Sequence, residues 1–181
     1  MEDPDHPEPL PAYSYFPGCP WPHPHHSSAA IPHSAPKEVK PPPGREKQWW
    51  SDRFRRAIEL FNAGYYWEAH EVWEELWHVE GRRGPTAELL KALIKLAAAG
   101  VKVREGRESG VRTHCRRAAE SFAAAAEQGG PRQLGLDLEL WARRSSQLAE
   151  NPPRDHGPAG APVTRVFDFR IEPDSTVTTS G

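Results

Sequence analysis

From Gln48 onward the apolar residues fall at intervals of three and four. Trp50, Phe54, Ala57, Ile58 and Phe61 form one stripe, which predicts an amphipathic helix over Gln48–Ala63 with Gly64 as its stop. The same spacing predicts a second helix over Tyr66–His78, closed by "GRRGP", and a third over Thr86–Arg104, punctuated by Gly106 and Gly110. Val111, Cys115, Ala118, Phe122 and Ala125 mark a fourth helix over Val111–Ala126, ended by "EQGGP". Leu138, Trp141, Ala142, Ser145 and Leu148 mark a fifth over Leu136–Ala149, ended by "NPP". Short connections make consecutive helices antiparallel neighbours. The pattern therefore predicts an all-α domain: a compact bundle of about five helices built from antiparallel, tetratricopeptide-like hairpins. A true repeat array needs at least three units with a shared signature, which the chain does not show.

The period is missing at both ends. Residues 1–46 read as a Pro-rich arm, because proline recurs from Pro4 to Pro43 and forbids long helices. This arm nevertheless concentrates Tyr13, Tyr15, Phe16 and Trp21, where unfolded segments are usually poor in aromatics. Tyr13 to Trp21 is therefore expected to lie against the helical domain (47–150) and to cover part of a tryptophan-rich face. His23, His25 and His26 offer metal ligands in principle, but a polar proline-rich arm is the plainer reading. In the C-terminal arm (151–181), Phe167, Phe169 and Ile171 alternate with Asp168 and Arg170, as in a strand, with no partner strand in view.

The second helix mixes residue types that want opposite surroundings. At about 100° per residue, Tyr66, Trp73 and Trp77 fall within about 60° of His70 on one side, and Trp67 and Glu74 within about 60° on the other. Glu68, Glu71, Glu75 and His78 gather on the remaining face and read as solvated. His70 and Glu74 thus lie inside the aromatic arc, one turn apart, where side chains meet. A charge buried there is costly unless paired, so the two are expected to be mostly buried and within hydrogen-bond reach of each other or of a shared third group. His114, on the flank of the fourth helix, is a candidate third group. Trp73 should be core, whereas Trp67 and Trp77 could line a groove.

Two readings of this cluster stay open. One is a structural ion pair that fixes helix packing. The other is a Trp-lined binding groove around His70, Glu74, Trp67, Glu71, Trp77 and His114, in which His70 and Glu74 could also ligate a metal. The zinc-protease motif needs a second histidine where Glu74 stands. The di-iron bundle motif needs two Glu-x-x-His pairs, and only Glu75 to His78 supplies one. Lys91, Lys95 and Lys102, and likewise Arg112, Arg116 and Arg117, read first as solvated faces. Cys115 reads as core rather than as a nucleophile.

Composition narrows the classes further. A formal net charge of −2 over 181 residues names no partner and does not favour nucleic acid. No apolar run reaches the length of a membrane span. The start "MEDPDHPEPLP" lacks the basic and apolar regions of a secretory signal, and two distant cysteines fit a reducing compartment, so a cytoplasmic protein is expected. Cofactor, partner and oligomeric state are not named by the sequence.

"LFNAGYYWEAHEVWEELWH", then "LLKALIKLAAAGVKVREG" and the "GV..H..RA" stretch, resemble the small all-helical bacterial proteins grouped as the domain of unknown function 309. The resemblance rests on Phe61, Gly64, Tyr66, Ala69, His70, Glu71, Trp73, Glu74 and Trp77, then Leu93, Ile94, Ala97 and Ala98, and spans roughly Trp50 to Phe122. It implies an all-α fold and supplies no activity. Three classes of function follow: a helical binding or scaffold module with a groove beside His70 and Glu74; a metal- or acid/base-dependent hydrolase using His70, Glu71 and Glu74; and a structural interaction protein.

Overall fold

The computed structural model describes residues 8–23 and 40–174. Five helices follow one another: α1 (Glu46–Ala63), α2 (Tyr66–Val79), α3 (Pro85–Arg104), α4 (Glu108–Gly129) and α5 (Leu138–Glu150). Each packs on the next, and cross-contacts give the direction. Arg53 meets Glu75 while Phe61 meets Tyr66, so α1 and α2 are antiparallel. Tyr66 lies against Gly100, Pro85 approaches Gly129, and Phe122 meets Trp141, which extends the alternation to α5. The all-α class expected from the periodicity is the observed one.

Local chemistry explains the boundaries. Gly64 closes α1 at φ 97°, a left-handed conformation that glycine adopts without strain, and its N–H caps Leu60 and Phe61 carbonyls. Pro85 opens α3, where its missing N–H costs nothing. The expected start of the fifth helix at Leu136 is corrected. Arg132–Gln133 (β1) and Leu136–Asp137 (β2) form a minimal antiparallel hairpin, and Asp137 then caps α5 by accepting from the Leu140 amide at 3.0 Å. Leu134 and Gly135 both take positive φ, the turn such a two-residue connection requires.

The core is one continuous cluster running from Phe54 and Phe61 through Trp73, Leu76, Leu89, Leu93 and Leu96 to Phe122, Leu138 and Trp141. The C-terminal arm completes it. Phe167 stacks on Phe61 at 5.7 Å, and Ile171 is buried. The alternation around Phe167 does not make a strand. The Asn62 carboxamide instead takes both backbone bonds of Ile171, accepting its N–H at 2.7 Å and donating to its carbonyl at 2.8 Å. One side chain thus does the work of a neighbouring strand.

The N-terminal arm crosses the same end of the bundle. Phe16 is buried and lies under the Arg104 guanidinium, 4.6 Å from its ring centre. Arg104 also donates to the His156 carbonyl, the Ala161 carbonyl and the Thr164 hydroxyl, and the Ser14 amide donates to the Pro162 carbonyl at 2.8 Å. A guanidinium with no carboxylate partner among the described residues thus pins both arms to α3 through neutral oxygens. His25 and His26 lie outside the described residues.

Candidate functional site

The face of α2 expected to be wholly solvated is divided. Glu68 is 1% exposed, and the N-terminal arm is what buries it. Its Oε2 accepts from the Ser14 hydroxyl at 2.8 Å, and its Oε1 from the Tyr15 amide at 2.9 Å. Burial pushes this carboxyl up to about 7 against the opposing pull of those two donors. The periodicity could not reveal this, because the partners come from outside any helix. The aromatic density of the arm was the available signal that something would be covered.

The arm continues over Trp67. Tyr15 meets the Trp67 ring edge-on at 4.9 Å, and His23 meets it at 5.5 Å. Trp67 in turn stacks on His70 at 6.3 Å with the rings 24° apart. Trp67 is therefore half-buried between the arm and His70, while Trp73 is fully buried with its indole N–H lacking a partner. Trp77 stands apart from this group at the other end of α2, half-buried beneath the Arg82 guanidinium.

His70 and Glu74 depart from the expectation in two respects. Both are half-buried rather than buried, and no hydrogen bond joins them. The third member of the cluster is Glu71. Its Oε1 lies 3.4 Å from His70 Nδ1, an atom shielded from solvent that forms no hydrogen bond. Ligand atoms of His70, Glu71 and Glu74 all fall within 4.8 Å of one another. Adjacent helical residues point about 100° apart, so Glu71 reaches His70 only through its length. Two carboxylates three residues apart on a helix repel each other. An imidazole and two carboxylates so placed make a nitrogen–oxygen donor set suited to a divalent cation.

Glu71 also lines a cavity of about 430 Å³ on its other side, walled by Leu10 and Pro11 of the arm, Arg53 and Arg56 of α1, and Val72 and Glu75 of α2. Through Glu71 the cluster adjoins a partly open cavity lined by the arm.

α3 and α4 add further residues near His70. Lys91, Lys95, Ala98 and Lys102 form a half-buried stripe on α3. His114 of α4 is half-buried with its Nδ1 shielded and unbonded. Desolvation, then the charges of Lys95, Lys102 and Arg117 and the neighbouring His70, hold His114 down at about 4. The structure thus brings His70, Glu71, Glu74, Trp67 and His114 to one region and leaves Trp77 outside it. Lys95, read from sequence as a solvated residue, belongs to this region too. Cys115 is buried with its thiol pushed up to about 12, as a core residue.

Among the described residues, no helix is long and apolar enough to cross a membrane. No curated protein and no solved structure matches the chain. One family model does, that of a domain of unknown function, DUF309, and it matches residues 54–114. That span, about a third of the chain, opens in the core of α1, contains the whole His70–Glu71–Glu74 cluster and closes on His114, and over it the chain is similar to the DUF309 family.

Proposed function

We propose that the chain is a helical ligand-binding module whose groove holds a divalent cation on His70, Glu71 and Glu74. The observation that carries this reading is the convergence of ligand atoms of His70, Glu71 and Glu74 within 4.8 Å of one another, on an imidazole whose shielded Nδ1 forms no hydrogen bond. Ligands about 2.1 Å from an ion stand up to about 4.2 Å apart across it. The observed spacing needs at most a slight contraction of flexible side chains. A structural ion pair explains it less well, because a histidine kept for packing would have its nitrogen hydrogen-bonded. One imidazole with two carboxylates fits manganese or zinc better than copper(I), which prefers thiolate, or calcium, which prefers oxygen alone.

Three protein ligands leave coordination positions for water or a bound molecule, and Trp67 with the arm limits access from one side. Cation binding is thus compatible with a binding module and with a hydrolytic site, and the geometry supports the binding step of either. Two unpaired cysteines, Cys19 and Cys115, suit a cytoplasmic setting.

The test is metal analysis of untagged protein, with manganese and zinc titrated into the chelator-treated chain. Stoichiometric binding is expected in the parent and a loss of about tenfold or more in His70→Ala and Glu74→Gln. A parent that takes up neither metal, or variants that bind as the parent does, would sink the reading.

A further inference from the structure

The N-terminal arm reaches the His70–Glu71–Glu74 cluster by two routes. Tyr15 packs edge-on against Trp67 at 4.9 Å, and Trp67 stacks on the His70 imidazole at 6.3 Å with the rings 24° apart. Separately, Leu10 and Pro11 line the same cavity that Glu71 lines from α2. The arm therefore borders two of the three residues assigned to the cation, one through an aromatic neighbour and one across a cavity.

The arm is anchored by residues outside the cluster. Arg56 donates to the Pro9 carbonyl at 2.7 Å, and Tyr65 to the Pro11 carbonyl at 2.8 Å. Glu68 accepts from the Ser14 hydroxyl and the Tyr15 amide. The last of these bonds fixes the backbone from which the Tyr15 ring projects onto Trp67. A half-buried indole on a helix surface turns about two side-chain bonds, and a ring packed on it restricts that freedom. What restrains the indole also restrains the imidazole stacked on it. A metal-bound histidine is ordinarily oriented by a hydrogen bond on its other nitrogen. His70 has Glu71 Oε1 3.4 Å from Nδ1 but no hydrogen bond among the described residues, so the stack is what orients its ring.

We propose that the arm is a strap that pre-orders the cation site, with Tyr15 as its positioning residue, acting through Trp67 on His70. The proposal rests on the cation reading of His70, Glu71 and Glu74, and adds how that site is controlled. With the strap docked the imidazole is already turned for a cation, and less freedom is lost on binding. With the strap released the same three ligands remain but bind more weakly. The effect is mutual by linkage: the factor that the docked arm adds to cation affinity is the factor that the cation adds to docking of the arm.

The experiment measures, by calorimetry on the full chain, the affinity of the cation that the parent takes up, manganese or zinc, and repeats it in Tyr15→Ala and Tyr15→Phe. It also measures how fast a protease cuts the arm with and without that cation. Neither substitution touches a metal ligand, and the amide of residue 15 still donates to Glu68 in both. Tyr15→Ala should weaken the cation about threefold to tenfold, the worth of one aromatic pair. Tyr15→Phe keeps the ring and should bind as the parent does. The cation should slow cutting of the parent's arm by a similar factor, and this readout needs no variant to fold. Metal-free melts check that the helical domain is intact in both variants. Equal or tighter cation binding in Tyr15→Ala, an equal loss in Tyr15→Phe, or arm cutting indifferent to the cation overturns the strap and leaves the cation reading standing. A parent that takes up neither metal overturns both.

Discussion

Glu68 and Glu74 belong to the same helix. Glu68 is sealed under the N-terminal arm with a donor on each carboxylate oxygen, whereas Glu74 is half-exposed with no hydrogen bond or ion pair among the described residues. The contrast extends to their neighbours. Around Glu68, Tyr65 donates to the Pro11 carbonyl at 2.8 Å and the Tyr66 hydroxyl accepts from the Val166 amide at 3.0 Å, so the polar groups are matched. Around Glu74, nitrogens of His70 and His114 are shielded and unbonded. The first region is a clasp of matched groups, and the second leaves polar nitrogens unmatched. Burial alone does not separate them, because the clasp is the more buried. What separates them is whether the polar atoms are satisfied.

The largest effect should come from the core beneath both regions. Trp73 is fully buried, and its truncation to alanine should cost about 3–5 kcal/mol, enough to unfold a small domain or nearly so. Gly100→Ala should also be severe, since its Cβ would come within 2.6 Å of the Tyr66 ring. Thermal melts check both. If Trp73→Ala melts as the parent does, the division of α2 into core and groove faces is mistaken.

Next comes the clasp. Glu68→Ala strands the Ser14 and Tyr15 donors, and each unsatisfied buried group costs about 1–3 kcal/mol. The arm should then be cut by protease sooner than in the parent. Glu74→Gln should do neither, because no protein partner is lost. Equal protease sensitivity in the two variants would erase the distinction drawn between the two glutamates.

This contrast also marks what could be read from the sequence. The helices were legible because apolar residues at 54, 57, 58 and 61, and their counterparts downstream, face one core, and periodicity records that directly. The oddity of His70 and Glu74 was legible for the same reason, since the arc that holds them is apolar. Glu68 was not legible. Its partners are a serine hydroxyl and a backbone amide more than fifty residues away, and only the folded arm brings them over α2. Glu71 was assigned to the water face by angle, yet a glutamate is long enough to swing back to His70, which an angular count cannot represent. Lys95 differs from its stripe-mates only in side-chain pairing, which the spacing of lysines does not record.

Trp67 tests the border between the regions, since it touches the arm through Tyr15 and the cluster through His70. Trp67→Ala should leave a folded protein and cost less than Trp73→Ala, because Trp67 is already half exposed. It should loosen the arm and weaken ligand binding together. Loss of stability equal to that of Trp73→Ala would mean that the aromatic residues form one core with no site at its edge.

The smallest effect is one of slope. The Glu68 carboxyl, raised to about 7, holds its proton more tightly when the arm is docked. Its contribution is full below the ordinary carboxylate value and is lost as pH rises to about 7, a change of up to about 3 kcal/mol for a group so deeply buried. His114, lowered to about 4, acts in the opposite sense. The unfolded chain binds a proton there before the folded one does, so its contribution is full above about 6.5 and is lost as pH falls toward 4. Its partial exposure makes this second term the weaker one. Between pH 4 and 7 the two therefore offset each other in part, and the parent should show only a shallow dependence of stability on pH. Glu68→Gln removes one term and should leave a protein that weakens in acid. His114→Asn removes the other and should leave one that weakens as pH rises. Urea melts at closely spaced pH values read both slopes. Variants whose slopes share one sign would show that the satisfied clasp and the unsatisfied groove do not differ electrostatically in the way their hydrogen bonds indicate.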